Sequence, residues 1–234
     1  MTTLPATMRF FEPNDHVAIV RRQLPHWAQA GTVCFITWRT HDSMPANVLE
    51  EWLVARDRWL LQHGLASSAA DWQERLAQGD PRRVAEFHAT FTARWEDALD
   101  SGHGECLLRR PDMAQIVSQS LLHFDGARYE MIEFVVMPNH VHLLATFPDA
   151  AAMLAQCEAW KHLTAAQINR QLRRAGRFWQ QDAFDHLVRH AAQFVRLRNY
   201  IATNPVQARL QAGEFVHYSR SHAPREGAGT SRGA

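Results

Sequence analysis

The spacing of apolar residues changes period along this chain, and the changes divide it into elements. TVCFITWRT, 32–40, is dense in β-branched and aromatic residues and predicts a strand. From 46 the period becomes helical: Val48, Leu49, Trp52, Leu53, Trp59 and Leu60 share a face until Gly64 stops the pattern. A second helical pattern covers 69–99, interrupted at Gly79-Asp80-Pro81 and followed by Gly102 and Gly104. Pro111 opens a further helix, PDMAQIVSQSLLHFDG, which Gly126 ends. ARYEMIEFVV (127–136) and HVHLLATF (140–147) predict a β-hairpin joined by MPN. A long amphipathic helix follows over 149–176, with Asp149 as its cap and Gly176 as its stop. Residues 182–190 supply a short strand, and AAQFVRLRNYIATN (191–204) a helix that Pro205 ends.

Setting aside the helical section at 46–104 leaves the order βαββαβ. That is the split-βαβ arrangement, an α+β ferredoxin-like palm with an antiparallel sheet. The expected organisation is one domain over 25–210, its first crossover enlarged by the insertion at 46–104. Residues 1–24 form an N-terminal arm, within a proline-punctuated stretch to residue 30 that predicts irregular structure. The tail, 213–234, is expected to be disordered.

Composition narrows the function classes. Apolar content of 46% is ordinary for a globular chain, and no apolar run is long enough to span a membrane. The N-terminus lacks a secretory pattern, and three scattered cysteines (Cys34, Cys106, Cys157) form neither a zinc knuckle nor a disulfide framework. A cytoplasmic protein is expected. The net charge of +1 conceals an asymmetry: 42–130 carries fifteen acidic residues against nine arginines, whereas 160–210 carries eight arginines and Lys161 against Asp182 and Asp185. Such a basic segment suits nucleic acid, and guanidinium groups suit bidentate phosphate contact.

Candidate chemistry lies within and beside that segment. His140 and His142 sit two apart on a strand and therefore point the same way. A pair alone is better explained by packing than by metal binding, because the motif is short. Tyr200 and Asn204, in RNYIATNPV, are one helical turn apart and share a face. Together the four suggest a nucleophile beside a three-ligand site. A phenol near its free pKa is a poor nucleophile, and a cation that polarises a phosphodiester compensates. Mg²⁺ and Mn²⁺ both remain open, Mn²⁺ tolerating imidazole better.

MPNHVHLL with NYIATNPVQARL resembles the HUH single-tyrosine transposases, IS200-like proteins, and among them the REP-associated tyrosine transposases. PHW (25–27), VCFITWR, FDGARYEM (124–131), AWKHLTAAQIN (159–169) and GRFWQQDAFDHLVR (176–189) extend the resemblance over about 25–210. It implies a metal-dependent nicking and strand transfer of single-stranded DNA at imperfect palindromes that fold into hairpins. Tyr200 would attack and form a 5′-phosphotyrosine link, with His140, His142 and Asn204 holding Mg²⁺ or Mn²⁺. It further implies a monomer with no obligate protein partner and no membrane, associated with the nucleoid when on DNA. Lys161, Arg170, Arg173, Arg174, Arg177, Arg189, Arg196 and Arg198 are the candidate phosphate contacts. Trp179, with Phe178, is either a base-stacking platform or a core aromatic. After the NP motif the chain departs from the family's aromatic and serine-rich close, reading EFVHYSRS with His217. The alternative reading is a cleavage-silent binder of structured single strands, which would share the fold and the arginines.

Overall fold

The computed structural model describes residues 9–11, 18–21, 25–69, 71–181 and 184–220. Strands β1 (Ala18–Arg21) and β2 (Pro25–Ala28) form a small antiparallel ladder. This corrects the expectation of an irregular arm; Pro25 is tolerated because it is the first residue of its strand. Strand β3 (Val33–Arg39) is followed by the inserted helices α1 (Ala46–Gln62), α2 (Trp72–Ala77), α3 (Pro81–Phe87) and α4 (Ala93–Asp100). A π-helical turn, His88–Thr92, joins the last two. Helix α5 (Pro111–Leu122), strands β4 (Glu130–Val136) and β5 (His140–Thr146), and helix α6 (Ala150–Gln171) come next. Strand β6 (Phe184–Leu187), helix α7 (Ala191–Gln207) and strand β7 (Val216–Ser219) complete the chain.

The main sheet is antiparallel in the order β6-β3-β5-β4-β7. Its first four strands have the ferredoxin-like order, with β4 and β5 forming the expected hairpin. Strand β3 shows why the sheet is apolar on both faces. Cys34, Ile36 and Trp38 point into a core closed by α5 and α6, through Met113, Val117, Leu121, Met153, Cys157 and Trp160. Val33 and Phe35 point to the opposite face, where Phe194 and Ile201 of α7 cover them. Strand alternation thus serves two helical layers. Helices α5 and α6 lie on one face, and the tyrosine helix lies on the other.

Helix α6 begins where its sequence says, with the Asp149 carboxylate accepting from the Ala152 N–H at 2.8 Å. It ends at Gln171 and not at Gly176, because Arg173 turns left-handed (φ 52°) and the Arg174 N–H closes onto the Asn169 carbonyl. Helix α7 runs through Pro205 to Gln207, past the expected stop. Pro205 cannot donate to the preceding turn, but the helix needs only one more turn. The Ala208 and Leu210 N–H groups close it on Asn204 and Pro205.

The insertion has its own apolar cluster of Trp59, Leu60, Leu65, Leu76, Phe87 and Phe91. The tail is also corrected: β7 pairs with the edge of β4, and Arg220 binds Asp125 and Glu130. Residues 221–234 of the expected disordered tail lie outside the described residues, as do residues 1–8 of the arm.

Candidate active site

The β3–β5 register sets the site. Thr37 lies opposite His142 and Arg39 opposite His140, all on the face covered by α7. Both imidazoles are buried, with ring centroids 4.6 Å apart. Helix α7 places Tyr200 over them, and the phenol oxygen shares a hydrogen bond with His142 Nε2 at 3.1 Å. His142 Nδ1 is held by the Thr37 hydroxyl at 2.7 Å, and Phe35 stacks on the ring. Burial holds both histidines neutral: His140 is pushed down to about 3, and His142 well below its usual value by burial and by neighbouring His140. A neutral imidazole keeps a lone pair for a metal.

The protonation of His140 follows from Asn139. The Asn139 amide nitrogen donates to the carbonyls of Leu99 and His103, both at 3.1 Å. Its oxygen is therefore the atom 2.8 Å from His140 Nδ1. An amide oxygen only accepts, so Nδ1 carries the proton and Nε2 presents its lone pair. That Nε2 is buried with no hydrogen-bond partner, as is the Oδ1 of Asn204. Asn204 itself is fully buried, on the turn of α7 after Tyr200.

One further side chain reaches this place. Asp100, the last residue of α4, has one carboxylate oxygen 3.7 Å from His140 Nε2, and the other accepts from Asn204 Nδ2 at 3.3 Å. Burial pushes its pKa up to about 6, against the lowering effect of the Asn204 hydrogen bond. Sequence reading missed Asp100 because it is one of fifteen acidic residues in 42–130, with nothing local to mark it. Asn139 and Thr37 were missed as well, although Asn139 adjoins the histidines in MPNHVH.

The donors fit a hard divalent cation. Two ligands bound at roughly 2.1 Å each lie at most roughly 4.2 Å apart, and the His140–Asp100 separation meets that limit. Among the described residues no three His, Cys, Asp or Glu side chains form a metal cluster by themselves. The set depends on the Asn204 amide, and His142 Nε2 is engaged by Tyr200.

The other sequence candidates are dispersed. Arg170, Arg173, Arg177, Arg189 and Arg196 are exposed. Lys161 and Arg177 line an open cleft of about 690 Å³ beside α6, away from the histidines, and Lys161 donates to the Gln181 carbonyl. Arg174 pairs with Glu105. Arg198 binds buried Glu133 at 2.5 Å and Ser219 at 2.9 Å, tying α7 to β4 and β7. His217, where the chain departs from the family's close, joins the same carboxylate at 3.1 Å. Phe178 and Trp179 are core aromatics, 3% and 4% exposed, and the Trp179 indole donates to Thr164. Neither ring offers a face to a base.

A ferredoxin-like sheet that presents paired histidines to a tyrosine helix has the arrangement expected of an HUH-type domain. The family model described as Transposase IS200 like matches residues 111–204, which hold both histidines, Tyr200 and Asn204. Over that stretch the chain is similar to IS200-like transposases. A comparison with curated proteins finds no match. A solved structure titled "Structure of the REP associates tyrosine transposase bound to a REP hairpin" aligns at 12% identity with a TM-score of 0.41. The alignment covers 78% of this chain and 71% of that one. Among the described residues, no helix is long and apolar enough to cross a membrane.

Proposed function

We propose that this protein is a metal-dependent nickase and strand transferase of single-stranded DNA, acting at hairpin-forming palindromes as a REP-associated tyrosine transposase. The observation that carries the reading is the contact between the Tyr200 phenol and His142, beside the buried and unpartnered acceptors of His140 and Asn204. Tyr200 Oη attacks a phosphodiester: the O–P bond forms, the P–O3′ bond breaks, and a 5′-phosphotyrosine link and a free 3′-OH result. The phenol loses a proton and the departing 3′ oxygen gains one. Attack by another 3′-OH reverses the step and joins new strands, with no external energy source. His140, His142 and Asn204 would hold Mg²⁺ or Mn²⁺, which polarises the phosphate and screens its charge. Were His142 Nε2 to serve as a ligand, the Tyr200 phenol that now shares a hydrogen bond with it would be free to face substrate. The exposed arginines supply sequence-independent phosphate contacts. The protein would act in the cytoplasm as a monomer.

The test is incubation with Mn²⁺ or Mg²⁺ and single-stranded hairpin oligonucleotides, with adducts resolved on denaturing gels. A covalent adduct absent from Tyr200→Phe supports the reading. An adduct that survives the substitution refutes the assignment of the nucleophile. Salt-dependent hairpin binding without metal dependence or adduct would instead establish a cleavage-silent binder.

A further inference from the structure

We propose that Asp100 is a further ligand of the cation held by His140 and Asn204, so that the inserted helical section is part of the active site. The inference rests on the reading of that site as a metal centre. It adds a carboxylate from an element outside the sheet and the tyrosine helix.

The argument turns on hydrogen-bond polarity. His140 Nε2 is an acceptor, because Asn139 fixes the proton on Nδ1. The atom facing it at 3.7 Å is an Asp100 carboxylate oxygen that has no hydrogen-bond partner. Two lone pairs thus confront each other in a site where His140 is fully buried, and a third unpartnered acceptor, Asn204 Oδ1, belongs to the same cluster. Burying acceptors without donors is costly. A proton on Asp100 does not reconcile them, since 3.7 Å exceeds hydrogen-bond length. A cation does. The carboxylate also corrects a mismatch of chemistry, because hard divalent ions prefer anionic oxygen to imidazole or amide donors.

The insertion holds Asp100 in place. The Asn139 amide that sets the His140 proton binds the carbonyls of Leu99 and His103, on either side of Asp100. Asn204 Nδ2 holds the second carboxylate oxygen. One residue of the MPNHVH loop therefore orients a histidine ligand and anchors the segment that carries the carboxylate. Cation binding and docking of α4 are consequently linked, because a ligand that binds only the docked state stabilises it.

The test is Mn²⁺ titration of the full chain, with free Mn²⁺ read by its solution EPR signal, in wild type, His140→Ala and Asp100→Asn. Asp100→Asn keeps an acceptor for Asn204 and removes the charge; it is expected to weaken Mn²⁺ binding roughly tenfold or more, a loss no smaller than outer-shell substitutions cause. In wild type, Mn²⁺ should also slow hydrogen exchange of backbone amides over 97–104. Unchanged Mn²⁺ affinity in Asp100→Asn, with binding lost in His140→Ala, overturns the assignment of Asp100 alone and leaves a bridging water there. Exchange over 97–104 indifferent to Mn²⁺ in wild type overturns it without any variant having to fold. Absence of Mn²⁺ binding by wild type overturns the metal-centre reading and this inference with it.

Discussion

Asn139→Ala probes the polar joint between the insertion and the histidine strand. Asn139 is 1% exposed and its side chain makes three hydrogen bonds: to the Leu99 carbonyl, the His103 carbonyl and His140 Nδ1. The first and third are buried, whereas the His103 bond is partly open to water that can replace the amide. Each buried group left unpartnered costs about 1–3 kcal/mol, so two such groups predict a loss of about 2–6 kcal/mol. With a urea m-value of about 2 kcal/mol/M, the unfolding midpoint falls by about 1–3 M. Mn²⁺ affinity should fall about 10- to 100-fold in the folded variant, because His140 loses the partner that orients its ring. Asn139→Asp is the polarity control. It keeps an oxygen for His140 but sets a carboxylate against two carbonyls, and should be no more stable than the alanine variant. A midpoint for Asn139→Ala corresponding to less than about 0.5 kcal/mol would refute the reasoning. So would an Asn139→Asp protein as stable as wild type.

Tyr200→Phe removes one hydrogen bond to His142, so urea unfolding should register about 0.5–1.5 kcal/mol while the covalent DNA adduct disappears. Glu133→Gln deprives Arg198 of its anion. Breaking a fully buried pair costs about 3–5 kcal/mol, and because the Arg198 side chain retains 18% exposure the expected loss is about 2–3 kcal/mol. Nicking should slow, because the Arg198 that Glu133 anchors shares α7 with Tyr200; a Glu133→Gln protein that nicks at the wild-type rate would contradict that role. Leu60→Ala, in the insertion's own cluster, should cost about 2–5 kcal/mol and speed limited proteolysis within 46–104 before the sheet is cut. Burial raises the Cys106 thiol pKa, and Cys34 and Cys157 are buried. Ellman's reagent at pH 8 should therefore react slowly with the native protein and promptly with all three thiols in denaturant.

The local order of this chain was legible because its elements carry their own signals. The β-branched run of VCFITWR, the MPN break between two apolar strands and the Asp149 cap each act over a few residues, and each element formed where they pointed. Strand period put His140 and His142 on one face, and helical period put Tyr200 and Asn204 on another. What failed depended on partners remote in sequence. EFVHYSRS has no strand signal strong enough alone, but the open edge of β4 accepts Val216–Ser219, and Glu133 takes both His217 and Arg198. Phe178 and Trp179 read equally well as stacking surface or core, and only the packing of Trp38 and Thr164 against Trp179 decided for core.

By itself, then, the sequence determined the alternation of strands and helices, the side from which each catalytic candidate projects and the charge asymmetry. Periodicity and capping are local properties, so they are written locally. Tertiary structure alone decided that α7 lies across the histidine face and that Asn139 Oδ1 fixes the His140 proton on Nδ1. It alone brought an aspartate of the inserted section, forty residues before the histidine, to within 3.7 Å of it. Convergence of buried acceptors belongs to the packed chain, because no neighbouring residue reveals which distant group will share its solvent-free space.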